Sequence, residues 1–312
     1  MSIQLEKVVD MLSYGSYVGI VCCSNGQVDS YKEKIEILLQ TIRELGLVPV
    51  CSEYIYEKYS VFCGTGKERA QALMDFFLDS SIKAIFDIAG GDLANGVLEY
   101  LDFEVIKRNY KPFFGYSDLT TIINAIYAQT GKCAYLYQVR NLIYRNRERQ
   151  IHDFTESVLH NGDDLYHIDY RFIQGQGMKG VVVGGNIRCF LKLAGTPYMP
   201  CMSDKILFLE SFGGEVAQIT TYLHQLRQMN IFQQIKGILL GTFTTLDGKS
   251  DMPSVEELIK YIVSNPNLPI ARTRNIGHGS DSKCIVIGKE IVLRNTCSRS
   301  VTKFSSDLVF VK

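Results

Sequence analysis

No two cysteines in this chain are spaced C-x-x-C, and no pair of histidines has the H-E-x-x-H spacing. The first absence argues against a zinc ribbon or a thioredoxin-type site, the second against the common metallopeptidase helix. Net charge is missing too: Lys plus Arg equals Asp plus Glu at 33 each. No global field therefore draws in nucleic acid or an anionic membrane surface. No uninterrupted apolar run is long enough to span a bilayer. The N-terminal stretch MSIQLEKVVDMLSYG mixes acids and bases in a helical pattern and lacks the apolar run of a secretory leader. Repeats and low-complexity tracts are absent as well. The expectation is a cytoplasmic protein with no nucleic-acid or membrane partner.

What is present begins with nine cysteines, at positions 22, 23, 51, 63, 133, 189, 201, 284 and 297. An odd number at irregular spacing is no disulfide framework, and free thiols in a reducing compartment are the simpler reading. The 312 residues suffice for two domains and a sizeable buried core.

Short β-rich runs alternate with amphipathic stretches. YVGIVCC (17–23), LVPVC (47–51), IKAIFDIAGG (82–91) and KPFFGY (111–116) read as strands. Residues 31–46, 66–80, 103–109 and 118–131 read as the helices between and after them. This alternation predicts βαβ units and a Rossmann-like, mainly parallel sheet over 1–145. The pattern weakens over 146–178, read as an inter-domain passage. From 179 to 312 a second, mixed, β-rich α/β domain follows, with a capping box, Ser254 to Glu257, opening its helix 254–264.

Two phosphate-loop look-alikes fail on inspection. GQGMKG (175–180) matches G-x-G-x-x-G but opens a strand, so the helix dipole that would face a phosphate is missing. GTGK (64–67) has Val61 where a P-loop needs glycine and Glu68 where it needs Ser or Thr. His152, His160, His167 and His224 offer no metal-ligand spacing. The sequence therefore predicts no metal and no cofactor.

Ser117 sits in KPFFGYSDLT, at the corner between a strand and a helix. A serine there is a helix N-cap or a nucleophile held at the end of a sheet. As a nucleophile it needs a base, and His278, between glycines in NIGHGSDS, can serve. The imidazole needs a carboxylate, and Glu210 ends the apolar strand KILFLE, where an acid is out of pattern. The oxyanion needs main-chain donors. Asp118 N–H follows the serine, and Gly91 in AGGDLANG can supply the second. Gly90, Asn186, Arg188 and Arg274 are further candidates for substrate contacts, the last three for a terminal carboxylate. The competing reading makes Ser117 a cap, Glu210 a salt-bridge partner and His278 a loop residue.

These blocks resemble the LD-carboxypeptidases, a family of serine peptidases. GGDLANGVLEYLDFEVIKRNYKPFFGYSDLTTIINAIYAQTG resembles the block carrying the family's nucleophile. GVVVGGNIRCFLKLAGTPYMP, ILFLES, IKGILLGTF and NIGHGSDS resemble its later blocks, in the same order, from about Gly19 to Gly288. The resemblance implies a Ser117–Glu210–His278 triad, a site in the cleft between an α/β N-terminal and a β-rich C-terminal domain, and a homodimer. It implies hydrolysis of an amide between an L-centre and a D-residue, with removal of the terminal D-Ala from peptidoglycan tetrapeptides as the first expectation. A second branch resembles microcin C self-immunity peptidases, which cut aminoacyl-nucleotide amides and stack an aromatic, often Trp, on the base. This chain has no Trp. It also departs from the family pattern at KCAYLYQVRN, where a His-Gly-Pro is common, and at SFGGEVAQ, where an acidic loop is common. A non-catalytic α/β ligand-binding protein is the alternative of another class.

Overall fold

The computed structural model of the chain describes residues 12–249 and 252–295, and the backbone of 303–304. The helical pattern expected at the extreme N-terminus and Cys297 lie outside these residues. The first half carries strands β1 (Tyr17–Val21), β2 (Val48–Cys51), β3 (Ile82–Asp87), β4 (Phe113–Gly115) and β5 (Ala134–Leu136). Between them lie helices α1 (Lys32–Glu44), α2 (Gly66–Leu78), α3 (Phe103–Arg108) and α4 (Thr120–Thr130). After α5 (Arg147–Phe154) come β6 (Tyr170–Gln174), β7 (Gly177–Asn186), α6 (Ile187–Leu191), β8 (Lys205–Ser211), α7 (Val216–Gln228) and α8 (Ile231–Gln234). β9 (Gly237–Phe243), α9 (Thr244–Asp247), α10 (Val255–Val263), β10 (Ile270–Thr273), β11 (Ile285–Ile287), β12 (Glu290–Arg294) and β13 (Lys303–Phe304) complete the order.

The strands form two sheets, one per domain, and the α/β class expected from the alternation is the one adopted. The first runs β11-β5-β4-β3-β1-β2, the second β13-β12-β7-β8-β9-β10-β6. β1 to β5 are mutually parallel, as are β7 to β10. Two strands cross the expected divisions at 145 and 179. β6, inside the expected passage, pairs antiparallel with β10. β11, from the far end of the chain, pairs antiparallel with β5. Both cover an edge. β5 is buried along its whole length, and an uncovered edge there would leave main-chain groups without partners.

Local chemistry accounts for the helix starts. α1 buries Ile35, Leu38, Leu39 and Ile42, one face at helical spacing. The GTGK segment is the start of α2: Thr65 accepts from Glu68 N–H, and the Glu68 carboxylate accepts from Thr65 N–H at 2.8 Å. The glutamate that spoils a phosphate loop thus completes a capping box. The box at Ser254 and Glu257 forms as expected. Gly175, at φ +74°, makes the turn of GQGMKG, and β7 opens at Gly177.

α4 differs from the other helices because Thr120 through Ile126 are all buried. It lies between the domains. The Asn124 amide imitates a strand: its Nδ2 donates to Gly184 O at 2.8 Å and its Oδ1 accepts from Gly184 N–H at 2.9 Å. Thr120 Oγ1 accepts from Asn186 N–H at 3.1 Å. Gly185, at φ +142°, permits this approach, since a Cβ there would lie 2.6 Å from Thr120 Oγ1. The helix that follows Ser117 is thereby docked on the end of β7, next to the strand that carries Glu210. Among the described residues no helix is long and apolar enough to cross a membrane.

Candidate active site

β4 ends at Gly115, where a Cβ would meet that of Leu119 at 2.7 Å, so the chain turns tightly into the helical segment. Ser117 takes φ +57° in that turn, a left-handed conformation that is strained for serine. A helix N-cap uses extended backbone instead. The hydroxyl does not face the helix either, because Ser117 Oγ lies 3.1 Å from Nε2 of His278. Of the two readings of this corner, the geometry fits the hydroxyl held out of the sheet.

His278 stands on the loop after β10, half-buried. Its Nδ1 is 2.7 Å from Oε2 of Glu210, which is fully buried in β8. An ionised carboxylate only accepts, so Nδ1 carries the proton and Nε2 is left to accept from Ser117. Tyr116 presents an edge contact to the imidazole at 5.0 Å, and Phe212 packs on it at 5.1 Å. Burial, then the nearby Glu210 charge, push the Tyr116 phenol well above its usual range, so it stays neutral beside the carboxylate.

The remaining candidates fall in different places. Asp118 is buried, and its carboxylate is a junction: Oδ2 accepts from Ser24 Oγ at 2.6 Å and from Ala94 N–H at 2.8 Å, while Oδ1 pairs with Lys192 Nζ at 2.5 Å. Its N–H follows the serine at the first turn, where helical N–H groups lack intrahelical partners. Gly91 takes φ +121°, and a Cβ there would strike the Asn25 side chain at 2.2 Å. Gly90 O accepts from Asn25 N–H at 3.2 Å, which fixes the plane of the Gly90–Gly91 peptide. In a trans peptide the N–H points opposite to the C=O, so Gly91 N–H faces away from Asn25.

Asn186, expected as a substrate contact, lines the cavity and also serves the carboxylate. Its Nδ2 donates to Oε1 of Glu210 at 3.0 Å and its Oδ1 accepts from Cys189 N–H at 3.3 Å, so its amide holds Glu210 and caps α6. Arg188 is paired with Asp92 and donates to Gly91 O at 3.2 Å. Arg274 is exposed and does not line the cavity around Ser117. Expected as a contact for a terminal carboxylate, it stands one residue beyond β10, outside that lining.

That cavity holds about 350 Å³ and brings Ser117 and His278 together with Gly91, Asn186, Arg188, Phe212 and Tyr222. Phe212 and Tyr222 were not singled out in the sequence. The signal for Phe212 was its place, directly after Glu210-Ser211 in a glycine loop. Lys192 was also missed, because a lysine in an amphipathic segment reads as surface. Cys189 is no rival nucleophile, since burial pushes its thiol up to about 12.

The histidines gave no metal spacing in sequence, yet the fold gathers His152, Asp153 and Asp164 with ligand atoms within 4.8 Å of one another. Asp153 already faces two cations, Lys283 at 3.5 Å and Arg149 at 3.6 Å, which offset its charge. The group belongs to α5 and the loop before β6 and lines no part of the Ser117 cavity.

Comparison with known proteins follows these lines. Residues 18–138 match the LD-carboxypeptidase N-terminal domain, and residues 179–293 match the LD-carboxypeptidase C-terminal domain. A putative carboxypeptidase of Treponema pallidum is 27% identical over 290 residues, covering 85% of each chain. A probable murein peptide carboxypeptidase of Bacillus subtilis is 26% identical over 301 residues, covering 93% of this chain and 92% of the relative. Among solved structures, MccF in complex with glutamyl sulfamoyl guanosine superposes with a TM-score of 0.85 at 18% identity, over 97% of this chain and 100% of that one.

Proposed function

This chain belongs to the LD-carboxypeptidase family, both of whose domains it carries in order, and on that premise we propose that it is a serine peptidase acting through Ser117, His278 and Glu210. The observation that carries the proposal is the continuous line of hydrogen bonds from Ser117 Oγ through His278 to Glu210, at 3.1 Å and 2.7 Å. Three side chains remote in sequence meet there in the order a triad needs.

The chemistry is acyl transfer. His278 Nε2 takes the Ser117 proton as Oγ bonds to the scissile carbonyl carbon. Glu210 stabilises the imidazolium that forms and keeps the ring in the tautomer required. The oxyanion is held by the N–H groups of Asp118 and Gly91. The imidazolium then returns the proton to the leaving amine as the C–N bond breaks. Water attacks the acyl-enzyme by the same route, and Ser117 regains its proton. No step calls for a metal or an organic cofactor.

The substrate proposed is an amide between an L-centre and a D-residue, and most concretely the terminal D-Ala of a peptidoglycan tetrapeptide. The name of the Bacillus subtilis relative supports this class. A second reading, an amide joining an aminoacyl group to a nucleotide, has one observation in its favour. Phe212, 60% exposed, offers an aromatic face inside the cavity, with Tyr222 on the same wall. Such a face suits a planar leaving group. Incubation with tetrapeptide muropeptides and with an aminoacyl-sulfamoyl adenosine, read by product mass, separates the two. Labelling of Ser117 by a serine-reactive phosphonate separates both from a ligand-binding protein without catalysis. An unlabelled Ser117 together with no product from either substrate would defeat the hydrolase proposal. We also propose a cytoplasmic setting, which the eight free cysteines among the described residues favour.

A further inference from the structure

Lys192 comes from the second domain, just after α6, yet its ammonium meets acceptors of the first. It lies 2.5 Å from Asp118 Oδ1, 2.9 Å from Asp92 O and 3.4 Å from Asp92 Oδ1. An ammonium has three protons, and three acceptors stand around this one. The contacts fall on both main-chain segments that carry the proposed oxyanion donors. Asp118 is itself one donor residue, and Asp92 directly follows the other, Gly91. The Asp118 carboxylate reinforces the link, because its second oxygen accepts from Ala94 N–H at 2.8 Å, two residues beyond Asp92. Arg188, from α6, adds a bond to Gly91 O at 3.2 Å.

We propose that Lys192 is a positioning residue that locks the Gly91 loop to the Asp118 corner across the domain boundary, and so sets the distance between the two oxyanion donors. The inference rests on the serine-peptidase reading and adds a residue to it. The physical need is plain. Gly90 and Gly91 give the loop the freedom to approach, and that same freedom allows the peptide to rotate. A donor that has rotated contributes nothing to the transition state. The ammonium takes that freedom away and also balances a carboxylate that is wholly buried beside the nucleophile.

The test compares wild type with Lys192→Met, Lys192→Arg and Lys192→Met/Asp118→Asn, using whichever of the two amide substrates the wild type cleaves. Lys192→Met is expected to lower kcat by about 10²-fold with KM changed less than about threefold, the pattern of a lost transition-state contact. The rate of Ser117 phosphonylation is expected to fall in parallel, since that reaction also builds charge on oxygen. Lys192→Arg is expected to restore at least a tenth of the wild-type kcat, as an order-of-magnitude figure. If Lys192→Met strands the buried carboxylate and fails to fold, Lys192→Met/Asp118→Asn, which removes the buried charge together with the ammonium, provides the second reading. It is expected to lower kcat by about 10²-fold at little-changed KM. Wild-type kcat in a folded Lys192→Met, or in the double variant if the methionine variant does not fold, overturns the proposal. So does a loss confined to KM. A wild type that neither cleaves nor labels defeats the underlying peptidase reading instead, and the two failures are thereby distinct.

Discussion

The side-chain amide of Asn186 donates to one oxygen of Glu210 at 3.0 Å, while the other oxygen of that carboxylate lies 2.7 Å from His278 Nδ1. The two contacts pin a buried carboxylate from both sides and leave it one orientation. Asn186→Ala removes one of them and the cap of α6 together. Glu210 then loses a hydrogen-bond donor at a buried position, and the imidazole loses its fixed reference. The expected result is a kcat lower by about 10²-fold and a loss of stability of about 1–3 kcal/mol. Steady-state kinetics and urea unfolding check the two parts separately. A wild-type kcat would show that Glu210 holds its place without the amide.

Removal of the nucleophile tests the proposed chemistry directly. Ser117→Ala should lower kcat by on the order of 10⁶, and Glu210→Gln by roughly 10⁴, by analogy with other triads. KM should change little in either case, because neither group is needed to seat the ground state. A Ser117→Ala enzyme that still turned over its substrate at close to the native rate would end the nucleophile assignment.

Much of this arrangement was legible in the chain, and the reason is periodicity. Alternating strands and amphipathic helices announce a parallel sheet, and polar residues at the ends of apolar strands, Ser117 and Glu210, stand out against the pattern. The strand pairings that join the ends of the chain were not legible. β11 is a short apolar run and β6 a short mixed one, and nothing in IVI or YRFIQ states which sheet edge needs covering. The roles of Asn186 and Lys192 were hidden for a related reason. A side-chain amide that serves a carboxylate 24 positions away, or an ammonium that serves one 74 positions away, leaves no local trace. Glu68 was legible only in part, since its mismatch to a phosphate loop stands in GTGKE while its pairing with Thr65 emerges only at the start of α2.

A second buried carboxylate gives a pH signature. Asp87, at the end of β3, accepts from Cys23 N–H at 3.0 Å and from Ala89 N–H at 2.8 Å. Burial outweighs these bonds and pushes its carboxyl from 3.8 up to about 6. An acid whose folded value is raised binds its proton more tightly in the native state. Stability is therefore unaffected below about pH 4, falls as pH rises to about 6, and stays lower above it. The full loss is roughly 3 kcal/mol for this one group. Relative to Asp87→Asn, which cannot titrate, the wild type should lose about that much between pH 4 and 7 in urea unfolding. A carboxyl NMR titration of Asp87 with its midpoint near that of a free side chain would contradict the account.

The loop that carries His278 is set by a glycine immediately before it. A Cβ on residue 277 would lie 1.6 Å from Thr242 Oγ1, far inside contact distance. Gly277 N–H also accepts no slack, because it donates to Ser282 Oγ at 3.1 Å. Gly277→Ala must therefore push the loop off β9, and the imidazole moves with it. A displacement of about 1 Å at the base costs on the order of 10²-fold in rate, and the overpacking itself about 1–3 kcal/mol. The two effects are separable by the companion change Thr242→Ala, which removes the nearest contact and leaves the Thr242 Cβ position at 2.8 Å. The double variant should regain part of both stability and kcat relative to Gly277→Ala alone. If stability returned while kcat did not, the hydrogen bond to Ser282, and not the contact with Thr242, would be what places His278.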